Sequence, residues 1–537
     1  MTAWADLLDP DKAARIDWRR FAFWSAILIG GIVRFYALGR VPAGLNSDEA
    51  STGVEALSIV QTGMDRWGNH LPVWFPAWGS GMNALYTYLA VPVVAVFGLN
   101  VVALRAIGAL FGLLTLPVAY YAARIHFDRS VALATLWLVA ILPWGVMSSR
   151  WALDSNLVPF WFTLGLLTIG KAMHAKDRKW PALALLPWAL CVYAYPISLI
   201  PITASGLLIS WFYREELSRN LAPWVAGAAL AFIFDLPFLL FLVKNEFGIA
   251  RLPFESFLPF SIPSLPASRL HQISQSLPRT LYDNLVFIWS GYRDGLVWHQ
   301  SGLFLPLTGA APYLTLLGIA ALAVGRSPPR PPNIVLLVAL TAMVPVCLIP
   351  LNLTRLNWFY VPSLMIISHL VVNVGILDFA AKYGLTAVRA SVVYVFVLTS
   401  LFYPYYFRSY NDEILVEDLN LQNGFRVGLQ DSLKLAAARA NSDEPIFVDV
   451  GTVHPYLYVL FFGLSDIRTF QATRRVRIDN GVYRVSRFGR FMFERNALDT
   501  AEPASFAFVS RSNRIPCPAP EVFSSDTLWT AGRCRAS

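Results

Sequence analysis

The residues best suited to chemistry are two adjacent carboxylates, Asp48 and Glu49, at the end of the stretch 44–49, and a later carboxylate, Asp154. A carboxylate pair of this kind can act as a general base, bind a metal ion or cap a helix. Arg150 precedes Asp154 in the same short polar segment. A guanidinium there can bind phosphate, or it can pair with the nearby acid at a membrane rim.

A helix must hold the first acidic pair. We predict that it begins at Ser47 or Asp48, with Ser47 as the N-cap, because an apolar stripe follows at helical spacing (Ala50, Val54, Leu57 and Ile59). The helix comes shortly after the first apolar stretch of the chain, residues 21–38. The carboxylates are therefore expected at a helix start on the rim of a membrane.

The composition is that of a polytopic membrane protein. Of the 537 residues, 56% are hydrophobic and only 14% are charged, and the mean hydropathy is +0.51. The net charge of +9 is spread over short loops, with no basic run interleaved with aromatics, which argues against nucleic acid as a partner. Basic residues precede the first apolar stretch without a small-residue cleavage site, so we predict an uncleaved first span.

We predict eleven membrane spans, since a spanning helix needs about 20 apolar residues. They lie at residues 21–38, 101–123, 130–148, 156–172, 180–195, 197–213, 221–243, 303–325, 333–350, 358–377 and 390–407. Residues 83–98 are also apolar, but the stretch is short and contains Pro92, so we predict a non-spanning, re-entrant or interfacial helix. With this assignment, most Lys and Arg residues of the short loops lie on the same side of the membrane as the N-terminus. The positive-inside rule identifies that side as cytoplasmic.

The predicted fold class is mainly α: a membrane helical bundle with a small C-terminal α/β domain outside the cytoplasm. The predicted divisions are a cytoplasmic segment at 1–20, a transmembrane module at 21–407 and the outer domain at 408–537. The outer loops of the module are 39–100, 148–156, 244–302 and 351–357. Within the outer domain the patterns predict helices at 428–440 and 454–463 and strands near 445–450, 481–486, 490–494 and 505–510.

The four cysteines divide into two pairs of different character. Cys517 and Cys534 lie close together in the polar C-terminal region, where a disulfide is expected if the region is extracytoplasmic. Cys191 and Cys347 lie in apolar spans and are expected to be inert thiols. The cysteines have no accompanying histidine spacing of a zinc motif.

The order of these features resembles the GT-C membrane glycosyltransferases, in the branch of protein mannosyltransferases and bacterial aminoarabinose transferases. The resemblance runs from Arg34 to about Lys179. The residues that carry it are 34–39, 45–50, Gly98 to Arg105, 127–129 and 149–154, with a weaker match at 354–357 and Pro362. The chain departs from many relatives at 79–83, which read Gly-Ser-Gly-Met-Asn where a basic residue precedes proline in those relatives.

The resemblance implies transfer of a sugar from a polyprenyl-phosphate donor to a lipid, glycan or protein acceptor outside the cytoplasm. It implies that Asp48 acts as the base or lies beside it, that Asp154 supports the acceptor, a metal or the donor, and that Arg355 holds the donor phosphate. Glu49 is expected to tune or orient Asp48. No cofactor is predicted other than a divalent metal ion, for which Asp48 and Asp154 are the candidate ligands.

The other predicted site residues follow from the chemistry that an inverting transfer needs: a base, cations for the departing phosphate and exclusion of water. Arg150 and Arg293 join Arg355 as phosphate candidates, because guanidinium groups pair well with phosphate. Trp74, Tyr86 and His299 are candidates for contact with the acceptor or with lipid, and Trp74 is equally typical of an interfacial aromatic belt.

Three other functions are compatible with a polytopic chain. A transporter or flippase would show inverted repeats and charged or broken helices at mid-membrane, whereas the charges here gather at one face. A polymerase or ligase of the O-antigen type would share the donor chemistry, and an envelope scaffold would not require Asp48. The predicted location is the bacterial inner membrane, with the N-terminus in the cytoplasm.

Overall fold

The computed structural model describes most of the chain. It covers residues 17–174, 177, 179–266, 276–294, 296, 299, 311–324, 333–373, 397, 400–408, 425–449, 454–479, 481–494, 505–526 and 528–535. Several predicted parts lie wholly or partly outside these residues: positions 1–16 of the cytoplasmic segment 1–20, positions 267–275 of the third outer loop, positions 409–424 of the outer domain, and parts of the spans at 303–325, 358–377 and 390–407.

The part before residue 374 is helical. Its helices are α1 Trp18–Phe35, α2 Ser47–Thr62, α3 Ala84–Phe97, α4 Val101–His126, α5 Arg129–Ile141, α6 Pro143–Ser149, α7 Val158–His174, α8 Lys179–Leu183, α9 Leu186–Ala194, α10 Leu199–Phe212, α11 Arg214–Ser218, α12 Leu221–Glu246, α13 Leu277–Trp289, α14 Ala311–Val324, α15 Ile334–Leu340, α16 Met343–Leu348 and α17 Tyr360–Asn373. Short 3₁₀ turns lie at Asp154–Leu157, Pro196–Ser198, Glu255–Phe257 and Thr354–Leu356. The mainly helical fold class is therefore confirmed.

Among the described residues, two helices are long and apolar enough to cross a membrane unbroken, α4 and α12. The pair α5 and α6 forms a third candidate span if it is counted as one, with a bend of 52° where Pro143 follows Leu142. Other predicted spans are divided in the same way: 180–195 into α8 and α9, and 333–350 into α15 and α16. The eleven predicted spans are thus not eleven continuous helices.

Helix α3 has 14 residues, and at 1.5 Å per residue it is about 21 Å long, shorter than the hydrocarbon core of a bilayer. This length is compatible with the prediction of a non-spanning helix. Helix α3 packs against α2 and α4, so it supports the loop that carries the acidic pair.

In its described residues the C-terminal domain is a mixed sheet with three helices, as the sequence pattern predicts for an α/β domain. Its elements are α18 Leu429–Arg439, β1 Ile446–Asp449, α19 Tyr456–Phe461, α20 Ile467–Thr473, β2 Arg475–Asp479, β3 Val482–Phe488, β4 Phe491–Met492, β5 Ser505–Arg511, β6 Glu521–Ser525 and β7 Trp529–Arg535. The strand order is β2-β3-β4-β1-β5-β7-β6. Strand β1 runs parallel to β4 and β5, and the other pairs are antiparallel.

Three strands of this sheet were not predicted from the sequence. Strands β2 and β6 are largely exposed, and β7 contains Gly532 in its centre, so none shows a clear buried alternation. The disulfide between Cys517 and Cys534 joins the segment before β6 to β7, across 17 residues of sequence. It closes the edge of the sheet that lies farthest from β2.

Candidate active site

Helix α2 starts with a capping box, and this fixes the directions of the two acidic side chains. Asn46, rather than the predicted Ser47, is the N-cap: its side chain accepts from the Asp48 amide at 2.8 Å. The Glu49 carboxylate reaches back and accepts from the Asn46 amide at 3.1 Å. Glu49 is thereby turned into the protein, and it is fully buried, whereas Asp48 is partly exposed.

Glu49 joins three segments that are distant in sequence. Its two oxygens accept from Arg105 on α4, at 2.7 Å from Nε and 2.8 Å from Nη2. Oxygen Oε1 also accepts from the Ala152 amide in the second outer loop at 2.9 Å. Arg105 itself donates to the carbonyls of Pro42 and Gly44 in the first outer loop. These contacts occupy both oxygens of Glu49, which the sequence made a candidate catalytic residue, and they tie its side chain to three segments.

Asp154 lies two residues beyond Ala152 and is also buried. Its Oδ2 accepts from the side-chain and backbone nitrogens of Asn83, just before α3, and its Oδ1 accepts from the Ser155 amide. Because Glu49 is hydrogen-bonded to Ala152, the acidic pair and Asp154 lie on adjoining segments. The structure therefore brings together the two acidic positions that the sequence separates by about a hundred residues.

Arg150 has a different environment from the one predicted. Its guanidinium is fully buried, and its Nη1 and Nη2 donate to four backbone carbonyls, those of Val33, Arg34, Tyr36 and Val41, at 2.7–2.9 Å. Four accepting carbonyls occupy all four Nη hydrogens. The observed contacts thus make Arg150 a link between the end of α1 and the second outer loop, and they argue against its predicted contact with phosphate.

Two of the residues predicted to contact acceptor or lipid are also buried in the protein. Trp74 stacks on Phe241 with ring centroids 5.1 Å apart, and its indole nitrogen donates to the Ser80 carbonyl. The Tyr86 hydroxyl donates to the Leu104 carbonyl at 2.9 Å and accepts from the Gly108 amide at 3.0 Å. Trp74 joins the first outer loop to α12, and Tyr86 joins α3 to α4, so both side chains make internal contacts in place of the predicted contacts with acceptor or lipid.

The third and fourth outer loops are joined by a buried acid. Asp294 accepts from His299 Nδ1 at 2.5 Å and from the Leu353 amide at 3.0 Å through the same oxygen. Burial alone would raise the pKa of Asp294, but the hydrogen bond and charge of His299 outweigh it, and the pKa lies below its usual value. His299 is therefore a positioning residue in this geometry, since it orients the acid that holds the loop of Arg355.

Of the three predicted phosphate ligands, Arg355 and Arg293 lie at the surface of the joined outer loops. Arg293 is exposed and precedes Asp294, while Arg355 is partly exposed and directs Nη1 to the Pro350 carbonyl. Asn357 connects the fourth outer loop, which carries Arg355, to the second outer loop by donating to the Ser155 carbonyl at 3.0 Å. Hydrogen bonds thus run in sequence from Glu49 through the second loop to the fourth and third loops.

A metal ion at Asp48 and Asp154 has little support from the side chains around them. The described residues include no group of three or more His, Cys, Asp or Glu side chains placed to hold a metal. Both oxygens of Asp154 already accept from N–H donors, which a coordinated cation would have to displace. The donor set therefore does not fit a two-carboxylate metal site, and no step is assigned to a metal.

Sequence reasoning missed the partners that hold this site together. Arg105, Asn83 and Asn357 bind the acidic residues or their loops, yet none was a predicted site residue. Only Arg105 carried a usable signal, because a charge within an otherwise apolar helix is usually paired with another group. The asparagines have no such signature.

Together, the helical membrane module, the acidic site between its outer loops and the terminal α/β domain define a multi-pass membrane protein of GT-C fold. The family model for dolichyl-phosphate-mannose-protein mannosyltransferases matches residues 84–241. No curated protein sequence matches the chain.

Solved structures share the fold at low sequence identity. The structure of ArnT from Cupriavidus metallidurans bound to undecaprenyl phosphate has a TM-score of 0.57 at 15% identity, covering 97% of this chain and 98% of that one. The Archaeoglobus fulgidus oligosaccharyltransferase in complex with zinc and sulfate has a TM-score of 0.52 at 15% identity, covering 82% and 61%. The same archaeal enzyme with an inhibitory peptide and a dolichol-phosphate has a TM-score of 0.51 at 14% identity, covering 83% and 64%. The predicted resemblance to GT-C membrane glycosyltransferases is confirmed for the fold.

Proposed function

We propose that this protein transfers a sugar from a polyprenyl-phosphate-linked donor to an envelope lipid, glycan or protein on the non-cytoplasmic face of a bacterial inner membrane. The observation that carries the proposal is the joining of the first and second outer loops through Glu49, which sets the partly exposed Asp48 beside the segment of Asp154. The similar ArnT was solved with undecaprenyl phosphate, which supports a lipid carrier as the donor here.

In the proposed reaction, Asp48 accepts the proton of an acceptor hydroxyl while the hydroxyl oxygen forms a bond to the anomeric carbon of the sugar. The bond between that carbon and the phosphate oxygen breaks, and its electron pair leaves with the lipid phosphate. Glu49 does not take the proton in this scheme, because Arg105 and two backbone amides already occupy its oxygens.

Arg355 and Arg293 are the proposed cations for the departing phosphate. Both are accessible from the outer face, and Asp294 ties their two loops together. Asp154 holds the start of α3 against the second outer loop and so keeps the base in register with the rest of the site. We further propose that the N-terminus is cytoplasmic and that the C-terminal domain is extracytoplasmic, as the loop charges predict.

The test uses the full-length protein in nanodiscs with a panel of undecaprenyl-phosphate-linked sugars and an envelope extract as acceptor. Mass spectrometry of the products should show transfer by the wild type and a loss of about 10²- to 10⁴-fold with Asp48→Asn. Asp443→Asn, an exposed carboxylate of the C-terminal domain, is the matched control and should leave transfer unchanged. Full transfer by a folded Asp48→Asn variant would refute the assignment of the base.

The proposed orientation has its own test. Exposed positions on the first outer loop and on α20, such as His70→Cys and Arg468→Cys, should react with a membrane-impermeant maleimide in spheroplasts. Labelling of only one of the two positions would separate the C-terminal domain from the acidic site and overturn the proposal.

A further inference from the structure

One of the contacts between the C-terminal domain and the first and second outer loops, which carry the acidic residues, is made by the short segment Phe425 to Gly428. The Phe425 carbonyl accepts from the Leu45 amide at 2.5 Å, just before the acidic pair. At Gly44 a side-chain carbon would lie 2.2 Å from that same oxygen, so the approach requires glycine. The Phe425 ring also packs edge-on against Trp151 in the second outer loop. The segment therefore lies where both acidic loops meet.

Arg426, the next residue of this segment, is held in an unusual state. Its backbone has φ +50°, a conformation that a long side chain rarely adopts. Its Nε and Nη1 are buried and make no hydrogen bond to any described part of the chain. Burial and the nearby charge of Arg511 lower the pKa of Arg426, and the Tyr458 phenol partly opposes them. A partly buried cation with two unpaired donor nitrogens, under the influence of a second cation, would be stabilised by an anion.

Tyr458 relates the position of Arg426 to that of the acidic pair. Its helix, α19, packs against α2, and its hydroxyl is buried. Burial raises the pKa of Tyr458, with Arg426 acting to lower it and Asp48 and Glu49 acting to raise it further. The phenol thus lies within electrostatic range of Arg426 and of the acidic pair at the start of α2.

We propose that Arg426, with Tyr458 beside it, binds a phosphate group at the Asp48 site, so that the C-terminal domain completes the site. The residues just before α3, 79–83, include no basic side chain, and backbone carbonyls accept from both Nη groups of Arg150. Arg426 supplies a cation from a different direction. A guanidinium offers two parallel N–H donors to a phosphate, which suits this role better than an ammonium group does. The inference rests on the proposed function for the source of that phosphate, the lipid carrier.

The experiment measures binding of undecaprenyl phosphate to the full-length protein in phosphatidylcholine nanodiscs, and it needs no sugar transfer. Arg426→Gln should weaken binding by about tenfold or more, because a charge-assisted hydrogen bond is lost. Arg426→Lys, which keeps the charge without the fork, should weaken it less. Arg468→Gln, an exposed arginine of the same domain, removes the same charge and should bind like the wild type. Thermal unfolding of each variant checks that it is folded. If Arg426→Gln does not fold, the binding measured with Arg426→Lys tests the inference instead.

Two further measurements distinguish the lipid carrier from free phosphate as the ligand. One measures binding of undecaprenol, which lacks the phosphate, and the other measures competition by inorganic phosphate. Weak binding of undecaprenol with no competition by millimolar inorganic phosphate supports the carrier as the source. Competition by inorganic phosphate that disappears in Arg426→Gln supports a phosphate site but overturns the carrier as its specific ligand. Wild-type binding of the carrier that neither Arg426 variant weakens would overturn this inference alone. A wild type that does not bind the carrier would overturn the proposed function as well.

Discussion

The substitution Glu49→Gln tests whether Glu49 positions the site or takes part in catalysis. The substitution keeps the shape of the side chain and removes its charge. In the structure the Glu49 carboxylate is fully buried and accepts from Arg105 Nε and Nη2 and from the amides of Ala152 and Asn46. The neutral side chain would leave the Arg105 guanidinium buried without a countercharge.

The size of the effect follows from that burial. Arg105 is also fully buried, so its charge cannot be solvated when Glu49 is neutral. Breaking a buried pair by removing one partner costs about 3–5 kcal/mol of folding free energy. This is roughly two to three and a half powers of ten in the ratio of folded to unfolded protein, at about 1.4 kcal/mol per tenfold change. Because the remaining carbonyl partners of Arg105 are polar, we expect a value at the lower end of the range.

The assay is reversible unfolding in mixed micelles, followed by tryptophan fluorescence as the fraction of sodium dodecyl sulfate rises. Glu215→Gln, at an exposed glutamate on α11, is the control and should change the unfolding free energy by less than about 0.5 kcal/mol. Arg105→Gln and the double variant complete a cycle, in which we expect a coupling energy of about 2–3 kcal/mol between the two side chains.

One result would refute the reasoning directly. If Glu49→Gln unfolds like the wild type but loses sugar transfer as completely as Asp48→Asn, then Glu49 takes part in the chemistry and its contacts with Arg105 and Ala152 are secondary. A stable variant with normal transfer would show instead that the buried pair contributes little to the site.

Three further outcomes follow from the structure. Asp48→Asn should unfold at the same detergent fraction as the wild type, because this side chain is partly exposed, and a large loss of stability would contradict its role as an accessible base. The lowered pKa of Asp294 means that its stabilising contacts are present above the ordinary carboxyl pKa and are lost as the pH falls through the lowered value, so Asp294→Asn should flatten the acid limb of a stability–pH curve. The asparagine side chain has one acceptor oxygen in place of two, so this variant cannot keep the hydrogen bonds from both the Leu296 and the Leu353 amides, and a transfer rate unchanged by it would argue against coupling between the third and fourth loops. Non-reducing peptide mapping should recover the peptides of Cys517 and Cys534 as one disulfide-linked species. Cys534→Ser removes this disulfide and should lower the free energy of unfolding by about 3 kcal/mol, as expected for a loop of this length.

The sequence by itself determined the class of fold and the position of the acidic site. Apolar stretches, loop charges and the shift in composition near residue 408 predicted a helical membrane module followed by an α/β domain, because these signals are local and additive along the chain. The predicted topology put Asp48 and Asp154 at the same membrane face, the resemblance to GT-C enzymes implied that they share a site, and their loops do adjoin.

The tertiary structure decided which charged residue does what. An arginine in an outer loop has the same sequence signature whether it contacts phosphate or a backbone carbonyl. The carbonyls that surround Arg150 belong to residues up to 117 positions away, and the partner of Glu49 is 56 positions away. Such distances are set by how helices pack, which no local pattern encodes. For the same reason only the folded chain places the segment of Arg426, from the C-terminal domain, against the loop that carries the acidic pair, where the Phe425 carbonyl accepts from the Leu45 amide.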